Sequence, residues 1–420
     1  MNRIGGMRNK WTLLAFIAGI HVTYVVARSL LGVLAVPIQA ETGLDNVAFG
    51  VLVAASFWTH AAFVPFTAWL GDRYERVRVI ACAALAWSAM TVLAGFSTGF
   101  WSLLALASVA FIIPQTMFGP TACALLSDCH RESRTVALSC HQSAYYVGWF
   151  VSGGAVAGIL SVCNGLWRAA FWTVGGIGMA VAVLFFAVFR AWSKPVGGTG
   201  APKADKPGFV ESLRAFFGCR TAKLLAVGYV ADIFVIFGYS SWGPKFVAEK
   251  FSIDPSSAAA GVMFWHYAAS FVAVLLTGLA TDGLVRRFPR VRLAFGAAAM
   301  LAAIPAAVGF GFAPSVGTTW LFAALLGLSL GAFGSNMVSA VYDVMPSRFR
   351  AGTVGFLNVL AASVGSLAAV SLGMLSKRLG VFGFELGFAL MGAVALVAVL
   401  AYGAAALFTF ENDRIAKEGE

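Results

Sequence analysis

The sequence predicts an all-α polytopic membrane protein whose twelve transmembrane helices form two pseudo-symmetric six-helix bundles. Hydrophobic residues fill 60% of the 420 positions and charged residues only 11%, whereas a soluble domain carries roughly 25% charged residues. Charge is therefore too scarce to cover a water-facing surface. Twelve apolar runs reach the length of about 20 residues that crosses a bilayer, and a polar segment divides them six and six.

The twelve runs set the predicted domain organisation. They cover residues 11–36, 47–70, 79–96, 101–126, 136–160, 167–189, 222–247, 258–280, 293–312, 318–342, 353–375 and 384–408. We assign residues 1–190 to an N-terminal bundle and residues 222–420 to a C-terminal bundle with a short cytoplasmic tail. Residues 191–221 hold glycines, three prolines and a cluster of basic residues, a composition typical of a flexible cytoplasmic linker.

The basic residues predict the orientation of the chain. With the N-terminus inside, 23 of the 29 lysines and arginines lie in inside segments and five in outside loops, as the positive-inside rule requires. Both termini and the linker are then cytoplasmic, and the cell inner (plasma) membrane is the expected location. The net charge of +11 thus orients the protein in the bilayer and does not indicate binding to nucleic acid.

Catalytic and cofactor-binding motifs are missing from the sequence. The six cysteines show no CxxC spacing, so we expect neither a disulfide framework nor a metal site. There is no G-x-x-x-x-G-K-S/T loop for ATP and no constellation of catalytic side chains. We therefore expect no cofactor and no enzymatic activity.

Related charged turns follow the second apolar run of each half. The first turn carries the charged residues Asp72, Arg73 and Arg76. The second turn carries the matching positions Gly278, Asp282, Arg286 and Arg287. Asp72 can cap the helix that begins beyond it, and the arginines beside it can reach Asp128 at the end of run 4. Pseudo-symmetric halves of this kind are the plan of many secondary transporters.

These turns and the twelve runs resemble the major facilitator superfamily over nearly the whole chain. The signature of that family between helices 2 and 3 is G-x-x-x-D-R-x-G-R-R, and here Ala68 and Glu75 stand where its two glycines belong. The resemblance implies an ion-pair latch that holds the two halves in the outward-facing state. Its members would be Asp72, Arg73, Arg76, Asp128, Asp282, Arg286 and Arg287. Plain topology signalling by the arginines is the alternative.

Three branches of the superfamily are similar to this chain in helix 1 or helix 5. Arg28, followed by Pro37 and Glu41, resembles the anion:cation symporters and the Spinster proteins. Both of those branches commonly carry an acid next to the arginine, and here that position is Ala27. The organophosphate:phosphate antiporters carry the arginine without the acid, and a histidine in helix 5 where His141 lies. Their second phosphate-binding arginine, in helix 7, is missing, so no single branch is matched.

Two charges are predicted at mid-bilayer depth, where each costs about 2.5–3.5 kcal/mol on insertion scales. Arg28 in run 1 shares a helix face with His21 and Tyr24, and Asp232 in run 7 shares one with Tyr239. Arg28 either anchors a substrate anion, forms a structural ion pair with Asp232, or snorkels outward. Asp232 is either a proton or cation site or the counter-charge of Arg28.

Four histidines also fall inside apolar runs, which favours a polar cavity that titrates near neutral pH. The candidate substrate-binding residues are Arg28, Tyr24, His21, His141, Tyr145, Tyr239, His266, Asn336 and Asn358. The candidate coupling residues are Asp232 and His60. Hydrogen bonding between helices is the alternative role for the asparagines.

The sequence therefore favours a secondary active transporter that moves a small organic anion by alternating access, through proton-coupled symport or anion exchange. Its partners would be the anion, a proton or counter-anion, and the lipid bilayer, and we expect a monomer. A Spinster-like exporter of lysolipid or another amphiphile is the first alternative, and it requires a lateral opening to lipid. A non-transporting membrane receptor is the second.

Overall fold

The computed structural model describes residues 8–130, 133–190, 209–285 and 287–415, with their side chains except at positions 8, 9, 64–73, 134, 135, 209, 282 and 351. The described residues contain helices and turns but no β-strand. Twelve of the helices are long and apolar enough to cross a membrane. The predicted all-helical, twelve-span architecture is therefore confirmed.

The chain divides into two compact units, and the first contains helices 1 to 6. This first unit comprises Met1–Thr199 and Asp254–Phe264, so it includes the first turns of helix 8. The spanning helices are helix 1 Arg8–Val33, helix 2 Asn46–Arg73, helix 3 Arg76–Ala94, helix 4 Phe100–Cys129, helix 5 Arg134–Val162 and helix 6 Trp167–Phe189. Helix 3 packs along helix 6, and helix 1 packs along helix 5.

The second unit comprises Gly200–Ile253 and Trp265–Glu420. The spanning helices of this half are helix 7 Arg220–Phe251, helix 8 Pro255–Leu284, helix 9 Val291–Phe312, helix 10 Val316–Val344, helix 11 in two parts Arg350–Gly365 and Leu367–Leu379, and helix 12 Val381–Asp413. Helix 9 packs against helices 10 and 12, and helix 7 packs against helices 11 and 12. The packing of helix 1 on helix 5 and of helix 3 on helix 6 in the first unit thus corresponds to the packing of helix 7 on helix 11 and of helix 9 on helix 12 in the second.

Run 1 was predicted to continue to residue 36, but helix 1 ends at Val33. Leu34 interrupts it, and a short helix Ala35–Thr42 follows. Pro37 lies in the first turn of this short helix, where a missing backbone N–H costs no hydrogen bond. Gly43 then ends the helix with a φ of 69°, a left-handed conformation that favours glycine.

The predicted flexible linker, residues 191–221, contains a helix in its described part. Residues 209–218 form the helix Phe209–Gly218, and helix 7 begins at Arg220. Phe216 in this linker helix is 2% exposed, and its ring centroid lies 5.1 Å from that of Phe356 in helix 11. Apolar residues recur here at helical spacing, so packing on helix 11 orders a segment whose basic composition suggested flexibility. Residues 191–208 lie outside the described residues.

Candidate functional site

Aromatic and histidine side chains from three helices meet inside the first unit. His21 and Tyr24 come from helix 1, Phe118 from helix 4, and His141 and Tyr145 from helix 5. The ring centroid of His21 lies 4.3 Å from that of His141 and 5.5 Å from those of Tyr24 and Phe118. Tyr145 lies 5.8 Å from His21. We call these five residues the His21 cluster. Four of them, all except Phe118, are predicted site residues, and they come from two different helices.

Arg28 lies one helical turn beyond the His21 cluster and is half-buried. Its Nη1 donates a hydrogen bond of 3.2 Å to the Tyr24 hydroxyl, and its guanidinium carbon lies 5.0 Å from the centre of the Phe57 ring. No described carboxylate of the first unit forms an ion pair with it. A guanidinium has five N–H donors, so most donors of Arg28 have no partner among the described residues.

A small cavity adjoins Arg28 within the first unit. It holds about 20 Å³, room for one water molecule, and is lined by apolar side chains together with Arg28, Ser56 and Thr91. Both hydroxyls donate to backbone oxygens of their own helices. Of the three polar side chains that line the cavity, Arg28 therefore has the most N–H or O–H donors without a partner among the described residues.

His60 and Gln115 carry buried polar atoms near this region. Nδ1 of His60 and both polar atoms of the Gln115 amide have no hydrogen-bond partner among the described residues. His60 lies one turn beyond Phe57 on helix 2 and interacts electrostatically with Arg28. Gln115 is 1% exposed and lies one turn before Phe118 on helix 4. Buried polar atoms are usually paired by protein or water, so these atoms are where water or ligand would be needed.

Asp232 is buried in the second unit, on helix 7. It is 2% exposed, and its Oδ1 has no hydrogen-bond partner within the described part of the chain. One turn earlier, Gly228 contacts the ring of Tyr402 from helix 12. The hydroxyl of Tyr402 is likewise buried and unpartnered among the described residues. Burying an unpaired carboxylate is costly.

Two further predicted groups of the second unit stack or pair within it. The rings of Tyr239 and His266 have centroids 4.3 Å apart. Asn358 accepts a 2.8 Å hydrogen bond from the hydroxyl of Tyr229, a partner that sequence reasoning did not identify. The Asn336 amide donates to the backbone oxygen of Ala332 in its own helix, so its nitrogen is engaged locally.

One predicted latch contact is visible in the described residues. Nη1 of Arg76 donates to the Asp128 carboxylate and to the backbone oxygen of Ala124 at 3.3 Å. Arg287 is exposed and lies against the Phe288 ring. Arg286 lies outside the described residues, and so do the side chains of Asp72, Arg73 and Asp282. The role of these residues as a latch stays a prediction.

An equivalent ion pair in the second unit was missed. Nη1 of Arg292, at the start of helix 9, lies 2.8 Å and 3.0 Å from the carboxylate oxygens of Asp343 at the end of helix 10. Arg76 and Asp128 occupy the starts and ends of helices 3 and 4 in the same way. Asp343 directly follows run 10 in the sequence. The partner of Asp343 could have been found from the repeat, because Arg292 lies in the first turn of helix 9 as Arg76 lies in the first turn of helix 3.

An apolar groove also lies within the first unit, between helix 5 and the first turns of helix 8. It encloses about 550 Å³ and is lined by Phe150, Gly154, Ala260, Phe264 and small neighbours.

Among the described residues no group of three or more His, Cys, Asp or Glu side chains is arranged to hold a metal ion.

Comparison with known proteins places this geometry in context. The profile described as Major Facilitator Superfamily matches residues 17–370. The D-galactonate transporter of Escherichia coli O6:H1 is 24% identical over 94% of this chain and 95% of that protein. The probable sulfoacetate transporter SauU of Cupriavidus necator is 24% identical over 87% and 86%. A crystal structure of a bacterial homologue of the human lysosomal transporter Spinster, inward-facing and unoccupied, is similar with a TM-score of 0.85 and 22% identity, covering 98% of this chain and 100% of the other.

Proposed function

The chain belongs to the Major Facilitator Superfamily, and from this premise we propose that it is a secondary active transporter of a small organic anion. Two relatives that match most of its length are named as carriers of D-galactonate and sulfoacetate, both of which are small organic anions. Transport proceeds by alternating access, and the energy comes from a proton or a counter-anion.

The observation that carries the proposal is the unpaired charge of Arg28. A half-buried guanidinium in the middle of an apolar helix, with Tyr24 as its one hydrogen-bond partner among the described residues, is expensive unless an anion completes it. Arginine suits this role because its planar fork binds a carboxylate or sulfonate through two parallel hydrogen bonds. The His21 cluster beside it supplies the wall of the anion site.

The remaining predicted residues have supporting roles in this proposal. We assign Asp232 and His60 as candidates for the coupling ion, because each carries a buried polar atom that has no hydrogen-bond partner among the described residues. Tyr239, His266, Asn336 and Asn358 are the candidates for substrate contacts from the second unit. The Arg76–Asp128 contact supports the latch, in which Asp72→Asn would slow turnover more than it weakens binding.

The orientation and membrane belong to the same proposal. The distribution of basic residues supports a cytoplasmic location for both termini and the linker, and we assign the protein to the cell inner (plasma) membrane. We expect it to act as a monomer, since each superfamily chain of this length contains both halves of a transport unit.

A second candidate is the export of an amphiphile such as a lysolipid. The apolar groove within the first unit favours it, because an acyl chain needs an apolar surface that opens to lipid. A competition experiment with lysophospholipid and D-galactonate distinguishes the two functions. Lysophospholipid that competes with D-galactonate for the site would support the amphiphile, whereas an unaffected D-galactonate affinity would support the solute.

The test of the anion site is substitution of Arg28 in the full-length protein. Arg28→Lys keeps the charge but removes the fork, so the affinity for D-galactonate or sulfoacetate should fall at least about tenfold, or about 1.4 kcal/mol. Arg28→Ala should weaken binding further. Arg378→Lys, at an exposed position near the end of helix 11, is the matched control and should bind as the wild type does. Calorimetry in detergent measures binding, and liposome uptake measures transport.

The double variant Arg28→Ala/Asp232→Asn distinguishes an anion anchor from a structural ion pair. If Arg28 only neutralises Asp232, the double variant should regain both folding and transport. If Arg28 binds the anion, the double variant should fold but not transport. Binding of an anion by wild-type protein without any flux would instead favour a membrane receptor.

A further inference from the structure

Two histidines from different helices of the first unit lie face to face. The rings of His21 on helix 1 and His141 on helix 5 are 4.3 Å apart between centroids, with 29° between their planes. They are 8% and 2% exposed. Two imidazolium charges at this separation repel each other strongly in a buried site. The pair therefore holds at most one extra proton.

One hydrogen bond defines the tautomer of His21. Its Nδ1 lies 3.1 Å from the backbone oxygen of His141, and because a carbonyl oxygen only accepts, this nitrogen carries the hydrogen. The other ring nitrogen of His21 is then the one that can accept a proton. Nδ1 of His141 is buried without a hydrogen-bond partner among the described residues. The pair thus has proton-binding capacity that its surroundings leave unused.

The described surroundings of the pair are aromatic and contain no carboxylate. Helices 1, 3, 5 and 6 contain no aspartate or glutamate. Helix 4 presents Phe118 to the pair, helix 5 adds Tyr145, and helix 3 contributes Trp87 behind Tyr24. The permanent charge on this side of helix 1 is Arg28, which is joined to the cluster through its hydrogen bond to Tyr24.

His60 of helix 2 is a third imidazole among the described residues of this part of the first unit. It interacts electrostatically with Arg28. The aspartate of helix 4, Asp128, is at the end of that helix and paired with Arg76. A proton that enters this part of the unit therefore has imidazoles, and no acid among the described residues, to receive it.

We propose that the His21–His141 pair, in place of Asp232 or His60, binds the coupling proton, and that an anion on Arg28 permits it to do so. The inference rests on the proposed function, because it requires Arg28 to bind the anion. Without an anion, the positive charge of Arg28 disfavours a second positive charge on the His21–His141 pair. A bound anion neutralises Arg28, so proton binding becomes more favourable. By linkage, a proton on the pair strengthens anion binding by the same factor.

This arrangement makes the transporter a symporter with one proton for each anion. The proton is bound and released without any covalent change. Uptake of a monoanion such as D-galactonate is then electroneutral, because one negative and one positive charge cross together. Since both rings are buried in this state, the proton exchanges with solvent in another conformation, as alternating access requires.

The test measures how D-galactonate affinity depends on pH in purified full-length protein, from about pH 6 to about pH 8. In the wild type the affinity should fall as pH rises, by up to about tenfold per pH unit for one linked proton. In His21→Gln and His141→Gln, whatever the change in affinity at neutral pH, the affinity for D-galactonate should no longer depend on pH. His130→Gln removes a buried histidine elsewhere in the same unit and should keep the wild-type dependence.

A second measurement needs no variant. Adding D-galactonate to lightly buffered wild-type protein should raise the pH by uptake of one proton per anion bound, and liposome uptake should be insensitive to membrane potential. Binding of D-galactonate without proton uptake would overturn the inference. Transport of D-galactonate that responds to membrane potential would also overturn it.

The outcomes separate the inference from the proposed function. A pH dependence that survives in both histidine variants but disappears in Asp232→Asn would move the proton to Asp232 and leave the anion transporter intact. Wild-type binding without pH dependence would also overturn the inference alone. If wild-type protein binds neither D-galactonate nor sulfoacetate at any pH, the proposed function fails and the inference fails with it.

Discussion

At the scale of single residues, Tyr402 shows how glycines create room for a large side chain inside the second unit. The ring is 1% exposed and lies between Gly228 of helix 7 and Gly296 of helix 9. A Cβ at Gly228 would lie 2.3 Å from Tyr402 Cε2, and one at Gly296 would lie 2.7 Å from Cδ1. The two helices approach the ring closely only because neither position has a side chain.

Gly228→Ala is therefore expected to destabilise the protein by about 1–3 kcal/mol, the usual cost of overpacking a core. Gly19→Ala is the matched control, since a Cβ at Gly19 meets no atom within 4 Å. This control should be neutral or stabilise by up to about 1 kcal/mol, because alanine is the better helix former. Reversible unfolding in detergent measures both. Equal stability of the two variants would contradict the packing argument.

The candidate site could be predicted from the sequence only where its residues lie on one helix. Periodicity alone predicted that His21, Tyr24 and Arg28 share a face, and Tyr24 contacts both of the others. The stacking of His21 on His141 joins positions 120 residues apart, and a single sequence carries no signal for such a contact. Likewise, the hydrogen bond between Tyr229 and Asn358 depends on how helices 7 and 11 pack.

At the scale of helices, each unit is tied together by one charged pair where its first helix finishes. In the first unit, Arg168 of helix 6 binds Glu41 and donates to the backbone oxygen of Ser97 at 3.1 Å. In the second unit, Lys250 of helix 7 lies 2.7 Å from Glu385 of helix 12 and donates to the backbone oxygen of Gly311 at 2.6 Å. In the first unit the base is on the last helix, and in the second unit the acid is on the last helix. Both pairs join the ends of three helices.

The first pair predicts a pH-dependent contribution to stability. Hydrogen bonds from Arg168, and then from the Trp167 indole, lower the pKa of Glu41 below its ordinary value of 4.5. A carboxyl whose pKa is lowered by folding stabilises the protein above the unfolded value, and this contribution disappears as pH falls through the folded value. Glu41→Gln should therefore lower the melting temperature at neutral pH, and the difference from wild type should shrink as pH falls below 4.5.

Melting curves from neutral pH down to about pH 3 test this expectation. Glu211→Gln is the control, because the 4.0 Å ion pair of Glu211 with Arg348 is exposed on both sides and exposed pairs contribute little. A melting-temperature difference for Glu41→Gln that persists unchanged at the lowest pH would show that the charge of Glu41 is not responsible.

The helices themselves were predicted well because apolar length is a local property. The linker was predicted less well, since its glycines, prolines and basic residues outweighed a short amphipathic segment. Phe209–Gly218 is ordered by Phe216 packing on Phe356. Similarly, the break at Leu34 separates two helices within one apolar run, and hydrophobicity alone does not distinguish a continuous helix from two.

At the scale of the whole molecule, the two units repeat one plan beyond the turns that first indicated it. Each carries an arginine at the start of its third helix that binds an aspartate at the end of its fourth: Arg76 with Asp128, and Arg292 with Asp343. The polar groups inside the units are different. The first contains Arg28 and the His21 cluster, and the second contains Asp232 beside Tyr402. The two units therefore share the same helix packing but carry different polar and charged side chains inside it.

The most direct test of the account is uptake of labelled D-galactonate and sulfoacetate into liposomes that contain the purified protein. The account predicts accumulation of at least one of these anions in the wild type, driven by an inward proton gradient or by exchange for internal anion. Arg28→Ala should abolish this uptake, and Arg378→Lys should retain it. The account would be contradicted if correctly folded wild-type protein moved neither anion, or if Arg28→Ala transported at the wild-type rate.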